Sequence, residues 1–510
     1  MREPDAEVIE KVKELRKQAL FLDAWELLKP CSPPEEWTNP GHRVVGARML
    51  RSLGDDGRER KILLKLWRNK ATRHVVREDL FWEILHMRGA FLAWQWLEKH
   101  PPTAEEPEEE HHDHPGIQAW VLGKLRDFER AELLIRPLLL EEPGTAFAWS
   151  VQSDLLEWQD RWAESLAAAE KALSIQPTHI SSLHSQFDML MALGREKEAL
   201  EKLEQACART QCASLVRTLA AHQIELGQHE AALASIARHE ELLPLMDKDL
   251  RRWQAGRRCD LASAMGDHEE ALKQSRIAGE HSGFYKKVAD YLEKTNGQQL
   301  TRRILPVGFV AQHHVTCAPA TVSAVAAFLG KPVDHLDLAD EICYDGTPHY
   351  RERDWAEKNG WAVREFRVTV DAAKQLIDRG IPIILSMVYP DNAHAQAVIG
   401  YDEYRQVLFV RDPSERTTTE FLALEALEGQ APFGPRGLAM VPAERESLFD
   451  GLDLPERHLY DLKHAVDSAL TRHDRAAALA TLQTLRDQYP NERLRWHVEL
   501  ELARYDDHAQ

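Results

Sequence analysis

The stretch from Ala311 to Pro332, AQHHVTCAPATVSAVAAFLGKP, sets one cysteine in front of a run of small and apolar residues at helical spacing. Pro319 suits the first turn of a helix, and Gly330 followed by Pro332 stops it. Cys317 is therefore predicted at a helix N-terminus, where free backbone N–H groups and the helix dipole favour a thiolate. The alternative is a buried structural thiol, because free cysteines are among the most buried residues.

Three further residues could serve a nucleophilic cysteine. His394 opens one strand-like segment and Asp412 closes the next. Antiparallel pairing of these segments would bring the two side chains together as general base and orienting acid. Gln312, five residues before Cys317, can offer its side-chain amide to an oxyanion beside the cysteine N–H. Taken singly, each has a structural explanation: a strand-end histidine, an Asp-Pro turn and a loop glutamine.

The order of these residues belongs to a longer series of motifs: QHHVTCAPATVSAVAAFLG, GTPHY, RGIPIIL, HAQAVIGYD and FVRDP. The series resembles the papain-like peptidases that process double-glycine leader peptides of bacteriocins. The resemblance covers about 300–445 and implies a papain-like α+β fold. It maps the oxyanion glutamine onto Gln312, the nucleophile onto Cys317, the base onto His394 and the orienting acid onto Asp412.

This sequence departs from the family pattern in two ways. Ala318 stands where the family usually has glycine, and its methyl group could crowd a substrate backbone. The transporter-linked members are also fused to membrane and ATPase segments, and this chain has neither. The resemblance therefore implies neither exporter-coupled leader removal nor a Gly-Gly cleavage rule.

Secondary-structure signals around these motifs predict an α+β domain. A helix is expected from the cysteine to Gly330, and further helices over 336–343 and 369–380. Segments rich in β-branched and apolar residues predict strands over 361–368, 381–389, 394–404 and 406–413. A helix-led, then sheet-rich order indicates an α+β domain set between helical pieces.

The first half of the chain repeats itself. RDFERAEL, DRWAESL, GREKEAL, GQHEAAL and GDHEEAL begin at residues 126, 160, 194, 227 and 266. The sixth residue of each is small, and in three of them a proline follows twelve residues later: Pro143, Pro177 and Pro244. A small residue where two helices cross, followed by a helix-stopping proline, is what stacked helical hairpins need. The pattern resembles tetratricopeptide repeats, whose period is 34 residues.

Weaker signals flank these repeats. FLDAWELLKP (21–30) and GAFLAWQWLEKHPP (89–102) look like second helices of divergent hairpins, and 473–490 repeats the pattern near the C-terminus. His111, His112 and His114 lie in an acidic, proline-rich segment that predicts an exposed loop, and we assign no metal there. The predicted division is 1–100 divergent helical repeats, 101–116 acidic loop, 117–298 tetratricopeptide-like repeats, 300–445 papain-like domain and 455–510 C-terminal helical hairpin.

Composition narrows the class of protein. The 510 residues are 44% hydrophobic and 29% charged, which is typical of globular chains of two to four domains. The net charge of −19, with no clustered basic face, disfavours nucleic-acid binding. No apolar stretch is long enough to span a membrane and no secretory signal is seen, so we expect a cytoplasmic protein. The remaining cysteines are expected to be packing or surface thiols: Cys31, Cys207, Cys212, Cys259 and Cys343.

These observations predict a bacterial-type cysteine peptidase that acts on a peptide or protein, without a cofactor. The helical repeats are expected to recruit the substrate or a protein partner through a concave groove. His313 and His314 are alternative bases close to the cysteine. Transamidation, deamidation or acyl transfer by the same residues remains an alternative, because only the acceptor of the acyl-enzyme changes. The third alternative is a non-catalytic scaffold with a relic peptidase domain.

Overall fold

The structure, a computed structural model, describes residues 2–102, 114–141, 144–295, 298–389 and 392–508. The chain divides into two compact units, Met1–Ser282 and Gly283–Gln510. The first unit consists of paired α-helices, and the second contains an antiparallel sheet with helices packed against it. The predicted fold class is thereby confirmed. Over the described ranges, no helix is both long enough and apolar enough to cross a membrane.

Antiparallel helix pairs run through the whole first unit. The helices are α1 (Ala6–Lys17), α2 (Phe21–Leu28), α3 (Pro40–Ser52), α4 (Asp56–Arg68), α5 (Arg77–Arg88), α6 (Ala90–Lys99), α7 (His114–Lys124), α8 (Phe128–Leu140), α9 (Ala146–Glu157), α10 (Trp162–Ile175), α11 (Ile180–Ala192), α12 (Glu196–Arg209), α13 (Ala213–Glu225), α14 (His229–Leu242), α15 (Lys248–Met265) and α16 (His268–Gly279). The five repeated motifs begin the second helix of each pair from α8 to α16. The two divergent segments predicted as second helices form α2 and α6.

The small residue of each motif lies where two helices meet. All five side chains are fully buried: Ala131, Ser165, Ala199, Ala232 and Ala271. A larger side chain at these positions would hold the paired helices apart. Where the small residue is a serine, its hydroxyl is satisfied inside the pair, because Ser165 Oγ donates to the Ser153 carbonyl at 2.8 Å.

The first residue of each motif has the left-handed backbone conformation that ends the preceding helix. Gly194, Gly227 and Gly266 have φ of +71°, +68° and +80°, and Arg126 and Asp160 have φ of +63° and +60°. Glycine takes this conformation without a steric penalty, and other residues take it at a cost. The repeat therefore depends on a backbone conformation, which three of the five motifs provide with glycine.

The N-terminal helices pack onto the middle of the repeat array, which the sequence pattern did not predict. Gln211 joins the two regions, since its Oε1 accepts from Leu22 N at 2.8 Å and its backbone N–H donates to the Ala19 carbonyl at 2.8 Å. Farther along, Asp247 N donates to the Gly54 carbonyl at 2.9 Å. A single apolar cluster includes residues from both regions. The first unit is thus closed on itself by contacts between its N-terminal helices and the repeats.

The second unit contains the predicted α+β domain. Its helices are α17 (Gly283–Lys294), α18 (Cys317–Phe328), α19 (His335–Ile342), α20 (His349–Lys358), α21 (Val370–Asp378), α22 (Ala423–Gly429), α23 (Arg457–Thr471), α24 (Arg475–Gln488) and α25 (Arg493–His508). Its strands are β1 (Arg302–Ile304), β2 (Trp361–Arg367), β3 (Ile383–Val388), β4 (Ala393–Asp402), β5 (Val407–Arg411), β6 (Thr419–Leu422) and β7 (Arg436–Pro442).

One antiparallel sheet organises this unit, with strand order β2-β7-β3-β4-β5-β6 and with β1 paired to β4. The predicted pairing of the segments 394–404 and 406–413 is confirmed by β4 and β5, which run from Ala397↔Arg411 to Asp402↔Val407. Strands β1, β6 and β7 were not predicted. The first two are short strands, which carry weak periodicity, whereas β7 is buried along its whole length and shows no alternation.

The C-terminal end is helical, as predicted, and consists of the three helices α23, α24 and α25 around a small apolar core. Charged side chains attach it to the sheet domain, because Arg353 bridges Glu365 at 3.2 Å and Asp461 at 2.9 Å. Helix α17, assigned to the repeats in the sequence analysis, belongs to the second unit, and Lys287 pairs with Glu425 at 2.8 Å. The finer five-part division of the chain stays a prediction.

Candidate active site

The structure places Cys317 as the first residue of α18, as the proline and glycine signals predict. The preceding loop is held by the Thr316 hydroxyl, which accepts from His313 N at 2.8 Å. Val315 has φ of +56°, a conformation that is unfavourable for a β-branched side chain. This strained turn places the half-buried thiol at the helix N-terminus, where the first N–H groups have no partner within the helix.

His394, near the start of β4, lies between Cys317 and Asp412. Its Nε2 is 2.9 Å from Asp412 Oδ1 and 3.0 Å from Oδ2. The hydrogen bonds to Asp412 and to Cys317 raise the pKa of His394 to about 9, against the opposing effect of burial. Because Nε2 is used by Asp412, the Nδ1 side of the ring remains for the thiol. The imidazole is therefore stabilised in its protonated form beside the sulfur.

Opposing effects determine the pKa of the thiol. Burial raises the pKa of Cys317, whereas hydrogen bonds from His394, from the Ala395 N–H and from the Ala318 N–H lower it, together with the charge of His394. The net effect is a pKa below the ordinary value for cysteine. A lowered thiol pKa next to a raised histidine pKa favours a thiolate–imidazolium pair.

Asp412 is oriented by the turn that follows β5. Its Oδ1 also accepts from the Ser414 N–H at 2.8 Å and from the Ser414 hydroxyl at 2.6 Å. Burial raises the pKa of Asp412, but the hydrogen bonds from His394 and Ser414 outweigh it and hold the pKa below its usual range. The carboxylate therefore stays charged and fixes the ring of His394.

Gln312 lies beside the same turn. Its backbone N–H donates to the Pro413 carbonyl at 3.0 Å, which ties the loop before Cys317 to the residue that follows Asp412. Its side-chain Oε1 is buried without a hydrogen-bond partner among the described residues. This oxygen is therefore not held by a hydrogen bond from the described part of the fold. The structure brings together all four site residues selected from the sequence.

Gln312, Cys317 and His394 line an open cleft of about 850 Å³, which we call the Cys317 cleft, and Asp412 lies behind His394. The segments 344–349 and 351–352 and Ser386 also line the cleft. Glu352 in this lining is held by Arg436, which donates to Glu352 Oε2 at 2.7 Å and to Glu365 Oε1 at 2.6 Å. This buried ion cluster holds the lining segment in place, because Arg436 also donates to the His349 carbonyl at 3.2 Å.

Thr321, one turn into α18, is a residue that the sequence analysis missed. Its buried hydroxyl lies 2.8 Å from the Cys317 carbonyl and 3.1 Å from the Ala395 carbonyl. It therefore links the first turn of the helix to the strand that carries His394. The sequence does show a threonine one helical turn after the candidate nucleophile, which could have indicated its bond to the Cys317 carbonyl. Its second acceptor, on β4, depends on the tertiary fold.

The other candidate groups lie elsewhere. The ring of His313 packs on His335, with centroids 5.0 Å apart, and neither His313 nor the exposed His314 lines the Cys317 cleft. Burial raises the pKa of Cys207 to about 12, as expected for a packing thiol. Cys343 Sγ lies 3.4 Å from the Val315 carbonyl and so contacts the loop before the candidate nucleophile. All six cysteines are free.

No metal centre is assigned. The described residues contain no group of three or more histidine, cysteine, aspartate or glutamate side chains that could hold a metal ion. Of the histidines in the acidic segment, His111 and His112 lie outside the described residues, whereas His114 is buried at the start of α7.

Comparison with known proteins finds a family match for the sheet domain of the second unit. Residues 304–426 match the model of the Peptidase_C39 like family. No curated protein matches the chain. The peptidase domain of Streptococcus ComA, a bi-functional ABC transporter involved in a quorum sensing pathway, is 18% identical and covers 27% of this chain and 98% of its own, with a TM-score of 0.22.

Helical proteins are also similar. PilW, a type IV pilus biogenesis factor, is 18% identical over 43% of this chain and 99% of its own, with a TM-score of 0.31. The Cut9–Hcn1 hetero-tetramer of APC/C gives 12% identity over 98% of this chain and 70% of the matched chain, with a TM-score of 0.39.

Proposed function

We propose that the second unit is a cysteine peptidase in which Cys317 is the nucleophile, His394 the general base and acid, and Asp412 the orienting acid. The observation that carries this proposal is the continuous contact from the thiol through the imidazole to the carboxylate, with the thiol at a helix N-terminus. A structural cysteine would need neither a lowered pKa nor an oriented histidine.

In the proposed reaction the Cys317 thiolate attacks a peptide carbonyl carbon. The oxygen takes up the electron pair and is held by the Cys317 N–H and the Gln312 amide. The protonated His394 then gives its proton to the leaving amine as the C–N bond breaks, which leaves a thioester. A water molecule, deprotonated by His394, attacks the thioester and releases the acid, and the sulfur leaves as thiolate.

The substrate is proposed to be a peptide or protein that lies across the Cys317 cleft. Arg351 lines this cleft and has no ion-pair partner among the described residues, so it is the charged group that an acidic substrate side chain would meet. We assign recruitment of the substrate, or of a protein partner, to the helical first unit, because stacked helix pairs expose long surfaces for protein recognition.

The test is cleavage of a peptide library by the wild-type chain and by Cys317→Ala, with products followed by mass spectrometry. We expect the variant to lose activity by several orders of magnitude, since it removes the nucleophile. The matched control is Cys343→Ala, which removes the neighbouring thiol and should keep the activity. Equal cleavage by wild type and Cys317→Ala contradicts the proposal, and incorporation of an added amine in place of water would reassign the reaction to acyl transfer.

A further inference from the structure

The closed first unit contains a cleft of about 760 Å³, which we call the inner cleft. One wall comes from the N-terminal helices α1 to α5, and the other from α11, α13, α14 and α15. The cleft exists because the N-terminal helices pack back onto the repeats, so residues that are far apart in sequence face the same space. Two of its polar groups, on Glu59 and Arg16, lack the partners that burial normally requires.

The first group is the carboxyl of Glu59. The residue is 1% exposed, and neither Oε1 nor Oε2 has a hydrogen-bond donor within the described ranges. The ion-pair contact is Arg51 NH1 at 3.8 Å, which is too long for a hydrogen bond. Burial raises the pKa of Glu59 to about 8, and although Arg51 opposes this, Glu83, Asp79 and Asp56 add to it. A buried carboxyl without donors can bind a group that carries several N–H bonds and a positive charge.

The second group is the guanidinium of Arg16. Its Nε is buried without an acceptor among the described residues. Burial and the charge of Arg48 lower the pKa of Arg16 to about 10, while Asp79 and Glu59 act in the opposite direction. Asp79 does not neutralise Arg16, because both of its oxygens are held by Arg48, at 2.7 and 2.8 Å. The buried Nε of Arg16 is therefore the atom that an acceptor oxygen in the cleft would satisfy.

The rest of the inner cleft includes apolar surface. Phe21 and Trp82 line it from the N-terminal helices, and Leu243 and Leu250 line it from the repeats. Pockets for small ligands combine apolar walls with a few polar groups that orient the ligand. An apolar substituent next to the polar groups would bury its surface here.

We propose that the inner cleft binds the amino-terminal head of an α-amino acid or peptide with an apolar first side chain. The ammonium group donates to Glu59, the carbonyl or carboxylate oxygen of the same residue accepts from Arg16, and the side chain packs on the apolar walls. A simple cation would leave Arg16 without an acceptor, and a simple anion would leave Glu59 without a donor. One α-amino-acyl head satisfies both.

This site is separate from the proposed peptidase, since its residues all lie in Met1–Ser282. The experiment is calorimetric titration of the full chain carrying Cys317→Ala, so that peptides are not consumed. The probes are leucine, leucine amide, the peptide Leu-Gly-Gly and its N-acetylated form. We expect leucine amide and the free peptide to bind and the acetylated peptide to bind at least about tenfold more weakly, because acetylation removes the ammonium charge. If leucine binds more tightly than the peptide, the ligand is a free amino acid. If the peptide binds more tightly than leucine, the ligand is a peptide N-terminus.

The decisive variant is Glu59→Gln, which keeps the size of the side chain and removes the carboxylate. It should weaken binding at least about tenfold, whereas Glu129→Gln, on the exposed side of α8, should not. Circular dichroism checks the fold, and Arg16→Met provides the same test if Glu59→Gln does not fold. The proposal is overturned if none of the probes binds, if the acetylated peptide binds as well as the free one, or if both cleft variants bind like the wild type.

Discussion

At the scale of single residues, the chemistry of the candidate site depends on which nitrogen of His394 contacts which neighbour. Asp412 contacts Nε2, and the hydrogen bond to the Cys317 thiol is left to the Nδ1 side of the ring. The raised pKa of the histidine and the lowered pKa of the cysteine have the same origin, because each group stabilises the charged form of the other. The pair therefore titrates as a unit.

This pair predicts a characteristic pH dependence of alkylation. In the wild type, an iodoacetamide-type reagent should label Cys317 at pH values well below the ordinary pKa of a thiol. Peptidase activity should rise with pH as the thiolate forms and should fall as pH passes about 9, where His394 loses its proton. In His394→Ala only burial and backbone hydrogen bonds remain, so labelling should move to higher pH.

The measurement is the labelling rate of Cys317 across pH, read by peptide mass spectrometry, with Cys207 as an internal reference thiol. The pKa of Cys207 is about 12, so it should label slowly in both proteins. If the wild type and His394→Ala gave the same profile, the proposed thiolate–imidazolium pair would be wrong.

Thr321 predicts a positioning effect. Thr321→Val keeps the shape of the side chain and removes the hydroxyl that joins the Cys317 turn to β4. We expect kcat to fall by about tenfold with little change in KM, and the labelling profile to shift toward higher pH, because the contact between the thiol and His394 loosens. Thr321→Ser should restore both values.

The matched control for this prediction is Ser323→Ala on the same helix. Ser323 also donates from a buried hydroxyl, to the Val333 carbonyl at 2.6 Å, but that acceptor lies away from the site. The control should lower stability without moving the pH profile. An unchanged profile in Thr321→Val would assign Thr321 a purely structural role.

At the scale of elements, the repeated helix pairs depend on a left-handed residue between the two helices of a pair. Gly227 has φ of +68°, and the space around its Cα is open, so an added methyl group would meet no neighbour. A substitution there changes the backbone preference without creating a clash.

Gly227→Ala should therefore lower the free energy of unfolding by about 1 kcal/mol. The control is Gly57→Ala in the first turn of α4, where the backbone is helical and alanine should be neutral or stabilising by up to about 1 kcal/mol. Urea denaturation of both variants gives the comparison. Equal stability of Gly227→Ala and the wild type would show that the conformation at this turn is not costly for alanine.

At the scale of the whole molecule, the second unit owes its stability to more than the segment that matches the peptidase family. The match ends at residue 426, yet β7 and α23 complete the sheet domain. Arg436 on β7 is buried between Glu352 and Glu365, and Asp461 on α23 pairs with Arg353 beside them. Separation of buried charges from their partners is strongly destabilising.

Two shortened chains test this organisation. The fragment 283–510 should keep the pH profile of Cys317 labelling, because each group that shifts the thiol pKa lies in this unit. The fragment 283–450 lacks α23. Its free energy of unfolding should be lower by several kcal/mol, so that it unfolds at lower urea concentration or fails to fold. Equal urea midpoints for the two fragments would contradict the assigned role of α23.

Much of the fold and the site follows from local sequence. The repeats are visible because helix crossings and helix ends need small residues, glycine and proline at fixed spacing. The start of α18 at Cys317 follows from Pro319 and Gly330, and the strands β2 to β5 follow from runs of apolar and β-branched residues. Since β4 and β5 are joined by a short turn, even the meeting of His394 with Asp412 was predictable.

The short strands β1 and β6 were not predictable, because a strand of a few residues shows no clear period and forms only where the sheet offers a partner. The fully buried β7 gives no alternation of apolar and polar residues. The hydrogen bond from Thr321 to β4 could not be predicted either, since its acceptor is 74 residues away in sequence.

The sequence by itself determined the helix pairs, the α+β domain and the order of Gln312, Cys317, His394 and Asp412, because these depend on neighbours within one or two turns or one hairpin. Only the tertiary structure decided that the N-terminal helices close onto the repeats, where hydrogen bonds join residues 189 positions apart. It also decided that the Glu59 carboxyl and the Arg16 Nε lie beside one cleft, buried without hydrogen-bond partners among the described residues. Such contacts depend on how whole elements pack, and no local pattern of residue types encodes that packing.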